Sequence, residues 1–337
     1  MKTGKNDIIL NEFNKLIKQI QFDIDNSSNK AESTKHMFRL QSIKKAINAI
    51  QNINFNIKSV DQVKDIQGIG KGSLARIAEI LQTGKLKEIN EDAINKSYVK
   101  YIDELSDIFG IGRKTAIALF KKHNIKSIDQ LKKLHSQNKI DLPDNIVKGL
   151  KYYGHIKENI PRLEIDMLAN VFKDILYNID PELFGTICGS YRRLQMSSND
   201  IDMLLIHPSY KNKSSKIKIN YIELFLIELQ NKGYLVDTFT SIDVHTKFMG
   251  LIRLSDKHPI RRLDIRFIPI ESYYYALFYF TGPKDFNKKV RQIAIDNNYI
   301  LNEYGLYNSS GKLFPAKSEN DIFKHLNLEY ISPEKRK

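Results

Sequence analysis

Apolar positions in the first part of the chain recur every three to four residues. Ile8, Ile9, Phe13, Leu16, Ile17 and Ile20 mark one face of a helix. A polar gap, Asp23–Glu32, contains Asn26-Ser27-Ser28-Asn29 and reads as a loop. Helical spacing resumes over Phe38–Ile50 and Val63–Leu81, which predicts a helical unit over residues 1–91. A second helical unit is predicted over 92–161, ending near Asn159–Arg162, and a short helix over Glu164–Tyr177 follows. The period then changes. Met203–Ile206 is a continuous apolar run, and Lys247–Leu254 and Arg261–Ile268 alternate as strands do. In the last of these, Arg262 and Asp264 share one face, and Leu263, Ile265 and Phe267 the other. Tyr273–Phe280 is dense in aromatics and reads as core, whereas the polar tail Ser332–Lys337 reads as frayed. Helices followed by strands predict an α+β multidomain chain.

Within the first half, one pattern occurs twice. Ile66–Ile77 (IQGIGKGSLARI) and Ile108–Leu119 (IFGIGRKTAIAL) begin 42 residues apart. Each is an apolar residue, a Gly-Ile-Gly turn and an amphipathic helix. Glycine permits the turn, which leaves backbone N–H groups free at a helix start, where the dipole favours phosphate. The pair is similar to the helix-hairpin-helix motif, which grips the DNA backbone without reading sequence. Gly68, Gly70 and Lys71, with Gly110, Gly112 and Lys114, are the expected DNA contacts, and Arg76 and Arg113 lie beside them. The motif resemblance also implies a monovalent cation, Na⁺ or K⁺. It would sit on the carbonyls of Lys64, Ile66 and Ile69, and of Ser106, Ile108 and Ile111.

The stretch Gly189–Asp202, GSYRRLQMSSNDID, concentrates the chemistry. Asp200 and Asp202 fall on one face of a strand, about 7 Å apart along it. Paired carboxylates repel unless a cation lies between them, and hard oxygen ligands suit Mg²⁺. Ahead of them, the Gly189-Ser190 turn with Arg192 and Arg193 can hold phosphate. Asp-x-Asp at a strand end is common by itself. A phosphate cradle joined to a metal pair indicates nucleotidyl transfer. Asp264, 62 residues after Asp202, is a charged residue on a predicted central strand that pairing could bring beside the first two. Asn287, Lys288 and Arg291 give one helix a basic and polar face.

Charge sharpens this picture. Lys and Arg number 53 against 39 Asp and Glu, a formal net charge of +14, which favours a polyanionic partner. Cys188 is the single cysteine, so no intrachain disulfide forms and a reducing compartment fits. No apolar run reaches the roughly 18 residues of a membrane span, and the N-terminus lacks a signal-peptide core. The chain is therefore expected not to be secreted and not to meet a membrane.

Taken together these residues resemble the family X DNA polymerases, of the polymerase beta kind, over essentially the whole chain. The marks are both hairpins, GSYRR with its DID, Thr246–Gly250 (TKFMG), Arg261–Arg266 (RRLDIR), Tyr279–Gly282 (YFTG) and Asn302–Tyr304 (NEY). The resemblance implies a lyase-like helical domain over 1–91 and a helical thumb over 92–161. It further implies a nucleotidyltransferase-type palm with a mixed sheet over 162–270 and small α/β fingers over 271–337. Asp200 and Asp202 would bind two Mg²⁺ ions and Asp264 the catalytic one, with Arg262 steadying Asp264. Gly189, Ser190, Arg193 and Asn199 would meet the triphosphate, and Tyr279, Phe280, Gly282 and Asn287 the sugar and base. Lys288 would face the templating base, Arg291 the template strand, and Glu303 would support a closed state. The implied activity is template-directed gap filling with dNTPs on gapped or nicked double-stranded DNA in base-excision repair, by a monomer. Residence would be nuclear in a eukaryotic cell, or cytoplasmic for a virus. No long extension precedes the first helix, so an N-terminal interaction module is not expected.

Departures from the pattern lie inside the site. Leu194 and Asn199 stand where glycines are expected, Asn159 where an arginine touches the triphosphate, and Lys284 where an aspartate lies near the incoming base. Losing the arginine removes one charge-assisted bond, about 1.5–3 kcal/mol. Arg76 stands at the position of the lysine that forms a Schiff base with 5′-deoxyribose phosphate, and a guanidinium forms no such imine. Gly72 and Arg39 replace two further lysines, leaving Lys71 and Lys44 as candidate lyase amines. Two other readings stand: a template-independent nucleotidyltransferase, and a non-catalytic DNA-binding module, whose signature would be loss of a metal carboxylate.

Overall fold

The computed structural model describes residues 6–27, 29–89, 96–156 and 159–336, with the side chains of Asn26 and of residues 96–99 outside that description. The expected boundary at 91/92, Ser28 of the polar gap and the terminal Lys337 also lie outside the described residues. The chain divides into two compact units, Met1–Ile146 and Val147–Lys337. The four-part division expected above is finer than this.

The first unit is helical: α1 (Asp7–Asn26), α2 (Lys30–Gln51), α3 (Lys71–Thr83), α4 (Lys96–Ser106), α5 (Arg113–His123) and α6 (Ile128–Ser136). A further helix, α7 (Asp144–Lys151), crosses the division between units. Phe13, Leu16 and Ile20 of α1 pack with Ile43, Ile47 and Ile50 of α2 and Ile77 and Ile80 of α3. Glu12 is buried and accepts from the Leu86 N–H at 3.0 Å, fixing the segment after α3. Ile8, counted on the apolar face, is 65% exposed. The polar gap is shorter than expected. Helix α1 runs through Asp23 to Asn26, and α2 opens at Lys30, where Asn29 caps the Glu32 N–H. Residues 63–70 are turn rather than the predicted helix, so α3 alone is the helix of the first repeat.

Both repeats fold as the same turn. The first glycine is left-handed, at φ +98° for Gly68 and φ +87° for Gly110. The second is extended and caps the helix, at φ −85° for Gly70 and φ −80° for Gly112. Between them Ile69 and Ile111 are buried. A side chain at Gly110 would put Cβ 2.8 Å from Asn145 Nδ2, so glycine serves both conformation and packing there.

The second unit begins with a short strand, β1 (Ile160–Pro161), and α8 (Arg162–Ile179), longer at both ends than the predicted helix. Next come β2 (Phe184–Ile187), a single turn α9 (Gly189–Arg192), β3 (Ser197–Ser198) and β4 (Ile201–Ile206). Helix α10 (Tyr221–Asn231) leads to β5 (Leu235–Thr238), β6 (Lys247–Ile252) and β7 (Arg261–Phe267). The main sheet has the order β2-β4-β7-β6-β5, with β4 and β7 parallel and the other pairs antiparallel. Its inner face packs on α8 and α10 through Phe172, Phe225, Phe248 and Phe267.

The C-terminal part is α11 (Tyr273–Thr281), α12 (Lys284–Asp296), a hairpin sheet of β8 (Ile300–Asn302), β9 (Gly305–Tyr307) and β10 (Leu313–Phe314), and α13 (Glu319–His325). Its core is aromatic, with Tyr275, Phe278, Phe286 and Phe323 buried together. The tail is docked instead of frayed. Arg336 is 4% exposed, its guanidinium 5.2 Å from the Phe278 ring and 2.9 Å from Glu319 Oε1. A cation seated on aromatic faces and paired with a buried carboxylate holds the end of the chain.

Candidate active site

Strand pairing assembles the acidic centre. In the parallel ladder Asp202 of β4 lies opposite Asp264 of β7. Asp200 immediately precedes β4, and the three carboxylates offer oxygens all within 4.8 Å of one another. Strand β7 alternates buried and half-buried residues, so Leu263, Ile265 and Phe267 enter the core while Arg262, Asp264 and Arg266 face the site. The Cys188 N–H bonds the Asp202 carbonyl at 2.8 Å, which ties the phosphate turn to the acidic strand. Gly189 follows at φ +57°, and a Cβ there would fall 2.5 Å from Asp202 Oδ2. Glycine is thus required by both the backbone and the carboxylate against it. Cys188 is buried, with burial and the Asp202 charge pushing its thiol well above the ordinary value, so it is an inert core residue.

The electrostatics are unbalanced. Burial, then repulsion from Asp264, pushes Asp202 up to about 6, against the opposing pull of Arg193 and Arg266. Burial likewise raises Asp264, although Arg262 draws it back. Arg262 contacts Asp200 directly and stands 3.5 Å from Asp264, so it bridges the two carboxylates instead of serving Asp264 alone. Asp264 Oδ1 is buried with no hydrogen-bond partner. A carboxylate oxygen buried, unpaired and aimed at two more carboxylates fits a divalent cation. A second Asp–Glu–His group, Asp180, Glu182 and His207, differs: Tyr221 Oη bonds Asp180 at 2.7 Å and His207 Nε2 at 3.1 Å, closing the group on itself.

A cleft of about 510 Å³ opens beside the acids, lined by Gly189, Ser190, Arg193, Asn199, Asp200 and Asp202 on the sheet side. Tyr279, Phe280, Gly282, Lys284, Asn287, Lys288 and Arg291 line it from α11 and α12. Arg193 donates to the Thr281 carbonyl at 2.5 Å, joining the two walls. Asn287 donates to the Tyr279 carbonyl at 2.6 Å, while its Oδ1 is buried without a protein partner. Arg291 stacks 4.8 Å from the Tyr279 ring. Leu194 adopts φ +60°, a left-handed conformation costly for leucine, and is 59% exposed.

Arg192, read above as part of the phosphate cradle, points away from the cleft. It donates to Thr281 Oγ1 at 2.7 Å and to Glu319 Oε2 at 2.6 Å, and Glu319 also holds Arg336. It is a positioning residue that ties the cradle to the C-terminal part. Sequence reasoning missed this network, the buried Arg261–Glu164 pair at 2.7 Å and the buried, unpartnered Ser198 hydroxyl. Arg261 and Glu164 are 97 residues apart, so no local pattern announces them.

In the first unit, Lys71 and Lys114 are exposed beside their turns. Arg113 is engaged by Asp25 at 2.9 Å and Asp103 at 3.2 Å. In the two hairpins the Ile66 and Ile108 carbonyls accept the N–H of Ile69 and Ile111, at 3.1 and 3.0 Å.

Three carboxylates on adjacent parallel and antiparallel strands, a phosphate turn at their edge and two helix-hairpin-helix turns upstream define a nucleotidyltransferase domain joined to a DNA-binding one. Family models agree: residues 12–86 match a helix-hairpin-helix domain, 159–270 the DNA polymerase beta palm and 276–337 the DNA polymerase beta thumb. The last description gives the name thumb to the residues termed fingers above. The chain is 29% identical to DNA polymerase lambda of Rattus norvegicus, over 87% of this chain and 51% of that protein. It is 27% identical to DNA polymerase lambda of Arabidopsis thaliana, over 87% and 56%, and 26% identical to DNA nucleotidylexotransferase of Xenopus laevis, over 87% and 62%. The chain thus spans about half the length of the curated relatives it matches. It belongs to family X of the DNA polymerases, with a palm of the polymerase beta type.

Proposed function

We propose that the chain is a template-directed, gap-filling DNA polymerase of base-excision repair. The observation that carries this reading is the trio Asp200, Asp202 and Asp264 bordering a cleft with cationic and aromatic walls. Two Mg²⁺ ions would be held by Asp200 and Asp202, one of them also by Asp264. When bound they lower the pKa of the primer 3′-hydroxyl and neutralise the leaving pyrophosphate. Asp264 helps to take the hydroxyl proton. Ser190 and Arg193 grip the triphosphate, the guanidinium being oriented by its bond to Thr281. Tyr279 and Phe280 carry the sugar, Asn287 reaches the base, and Lys288 and Arg291 meet the template. The substrates are dNTPs and gapped or nicked duplex DNA, gripped by the two hairpins with a bound Na⁺ or K⁺. The active form is a monomer, nuclear in a eukaryotic cell or cytoplasmic for a virus.

Primer extension on a one-nucleotide gap against single-stranded DNA tests the reading. Extension confined to the gapped template is expected. Equal extension of single strands would favour the template-independent alternative, which the nucleotidylexotransferase relative keeps in play. All three metal carboxylates are present, which argues against a non-catalytic module.

Lyase chemistry at the usual position is lost. Arg76 has no free amine and is held by Glu88. Borohydride trapping on a 5′-deoxyribose-phosphate substrate should give no cross-link. A cross-link abolished by Lys71→Ala or Lys44→Ala would relocate the chemistry, and one abolished only at Arg76 would overturn the argument.

A further inference from the structure

We propose that Arg39 and Arg76 form a phosphate receptor that the chain keeps shut with its own Glu88. The inference rests on the DNA-directed function above and concerns regulation of its N-terminal grip. Arg76 of α3 meets Glu88 through Nε at 2.5 Å and through a second guanidinium nitrogen at 3.2 Å, a two-point fork. Arg39 of α2 reaches the same carboxylate at 2.6 Å. The remaining Arg76 nitrogen donates to the Gly72 carbonyl at 2.8 Å, and a Cβ on Gly72 would come within 3.1 Å of it. The guanidinium is therefore parked over the first turn of α3, in space that glycine leaves open. Side-chain exposures of 31%, 21% and 32% for Arg39, Arg76 and Glu88 leave the cluster reachable from solvent.

Two planar guanidiniums converging on one point suit the edge of a phosphate better than a single carboxylate charge. With Glu88 in place the cluster carries one net positive charge. Without it, two guanidiniums stand open beside Lys71 and the hairpin turn. An exposed intramolecular pair is individually weak, so its role here is occupancy more than stability. The ligand is a phosphate group of DNA, either a terminal 5′-monoester or a backbone diester.

The test is fluorescence anisotropy of the full chain on a one-nucleotide gap whose downstream strand ends in 5′-phosphate or 5′-hydroxyl. The wild-type protein binds the two ends within about twofold, because the receptor is shut. Glu88→Gln binds the phosphate end about fivefold tighter than the hydroxyl end, and Arg39→Gln in that background removes the gain. A gain for both ends, with a steeper salt dependence, supports the receptor and assigns it to the backbone diester. A strong phosphate preference already present in the wild type, or no change in Glu88→Gln that melts like the wild type, overturns the proposal. Arg39→Gln alone should change neither affinity, and a loss there also counts against it. Primer extension run in parallel separates this outcome from failure of the polymerase reading, which would remove extension while leaving the end preference measurable.

Discussion

The palm carboxylates and the Arg39–Glu88–Arg76 cluster each gather charge on one point, and they are balanced in opposite ways. In the palm, three acids lie within 4.8 Å, Asp202 is pushed up to about 6, and Asp264 keeps a buried oxygen unpaired. In the N-terminal unit two guanidiniums and one carboxylate satisfy each other with hydrogen bonds of 2.5 and 2.6 Å. A site left unbalanced is built for a ligand that supplies the missing charge. A site closed on itself needs something to displace its internal partner before it can bind. The difference explains how one basic chain can hold its polymerase centre open to metal while its lyase-like surface is silent.

The largest effect should come from deleting an acid. Asp264→Ala is expected to lower incorporation more than about a thousandfold in single-turnover extension. Anisotropy should show gapped-DNA binding nearly unchanged, and retained synthesis would refute the metal assignment. Gly189→Ala comes next. Its Cβ displaces Asp202 Oδ2, from which it would stand only 2.5 Å. Turnover should fall about a hundredfold, since a shift of the order of 1 Å at a reacting centre costs that much.

The charge imbalance itself can be read without DNA. The Asp202 pKa is raised on folding, from 3.8 to about 6, so the folded chain holds its proton longer than the unfolded one. Stability of the metal-free protein should therefore fall as pH rises through that window, by on the order of 2 kcal/mol. Denaturant midpoints at several pH values measure it, and Asp202→Asn should flatten the slope. A slope of opposite sign would show that the acids are already compensated. The smallest effect is at Leu194, whose left-handed backbone at φ +60° suits glycine. Leu194→Gly should raise stability by about 0.5–1 kcal/mol, the relief of strain being partly offset by the greater freedom of unfolded glycine. A loss of stability would mean that the exposed side chain has an unrecognised partner.

Much of the site was legible because its parts are local. The Gly-Ile-Gly turns declare their own conformation, the Asp200-x-Asp202 pair follows from strand period, and the alternation of Arg261–Phe267 put Asp264 on a polar face. The polar gap at Asp23–Glu32 misled, because Asn29 and Glu32 form a helix cap and its first turn, which composition alone does not distinguish from a loop. The tail misled for a different reason. Arg336 looks like a frayed cation until Phe278, Phe286 and Phe323 provide a surface for it.

The chain's own order of residues therefore determined the two DNA-gripping turns, the acidic pair, the phosphate turn and the basic character that suits a polyanion. Tertiary structure decided what each charge is for. Arg192 and Arg193 are neighbours in sequence, yet one is spent on Glu319 and Thr281 while the other lines the cleft. Arg76 and Glu88 are both unremarkable surface residues until α2 brings Arg39 against them. A charge's role depends on desolvation and on partners within a few ångströms, and the partners here come from strands and helices far apart in the chain.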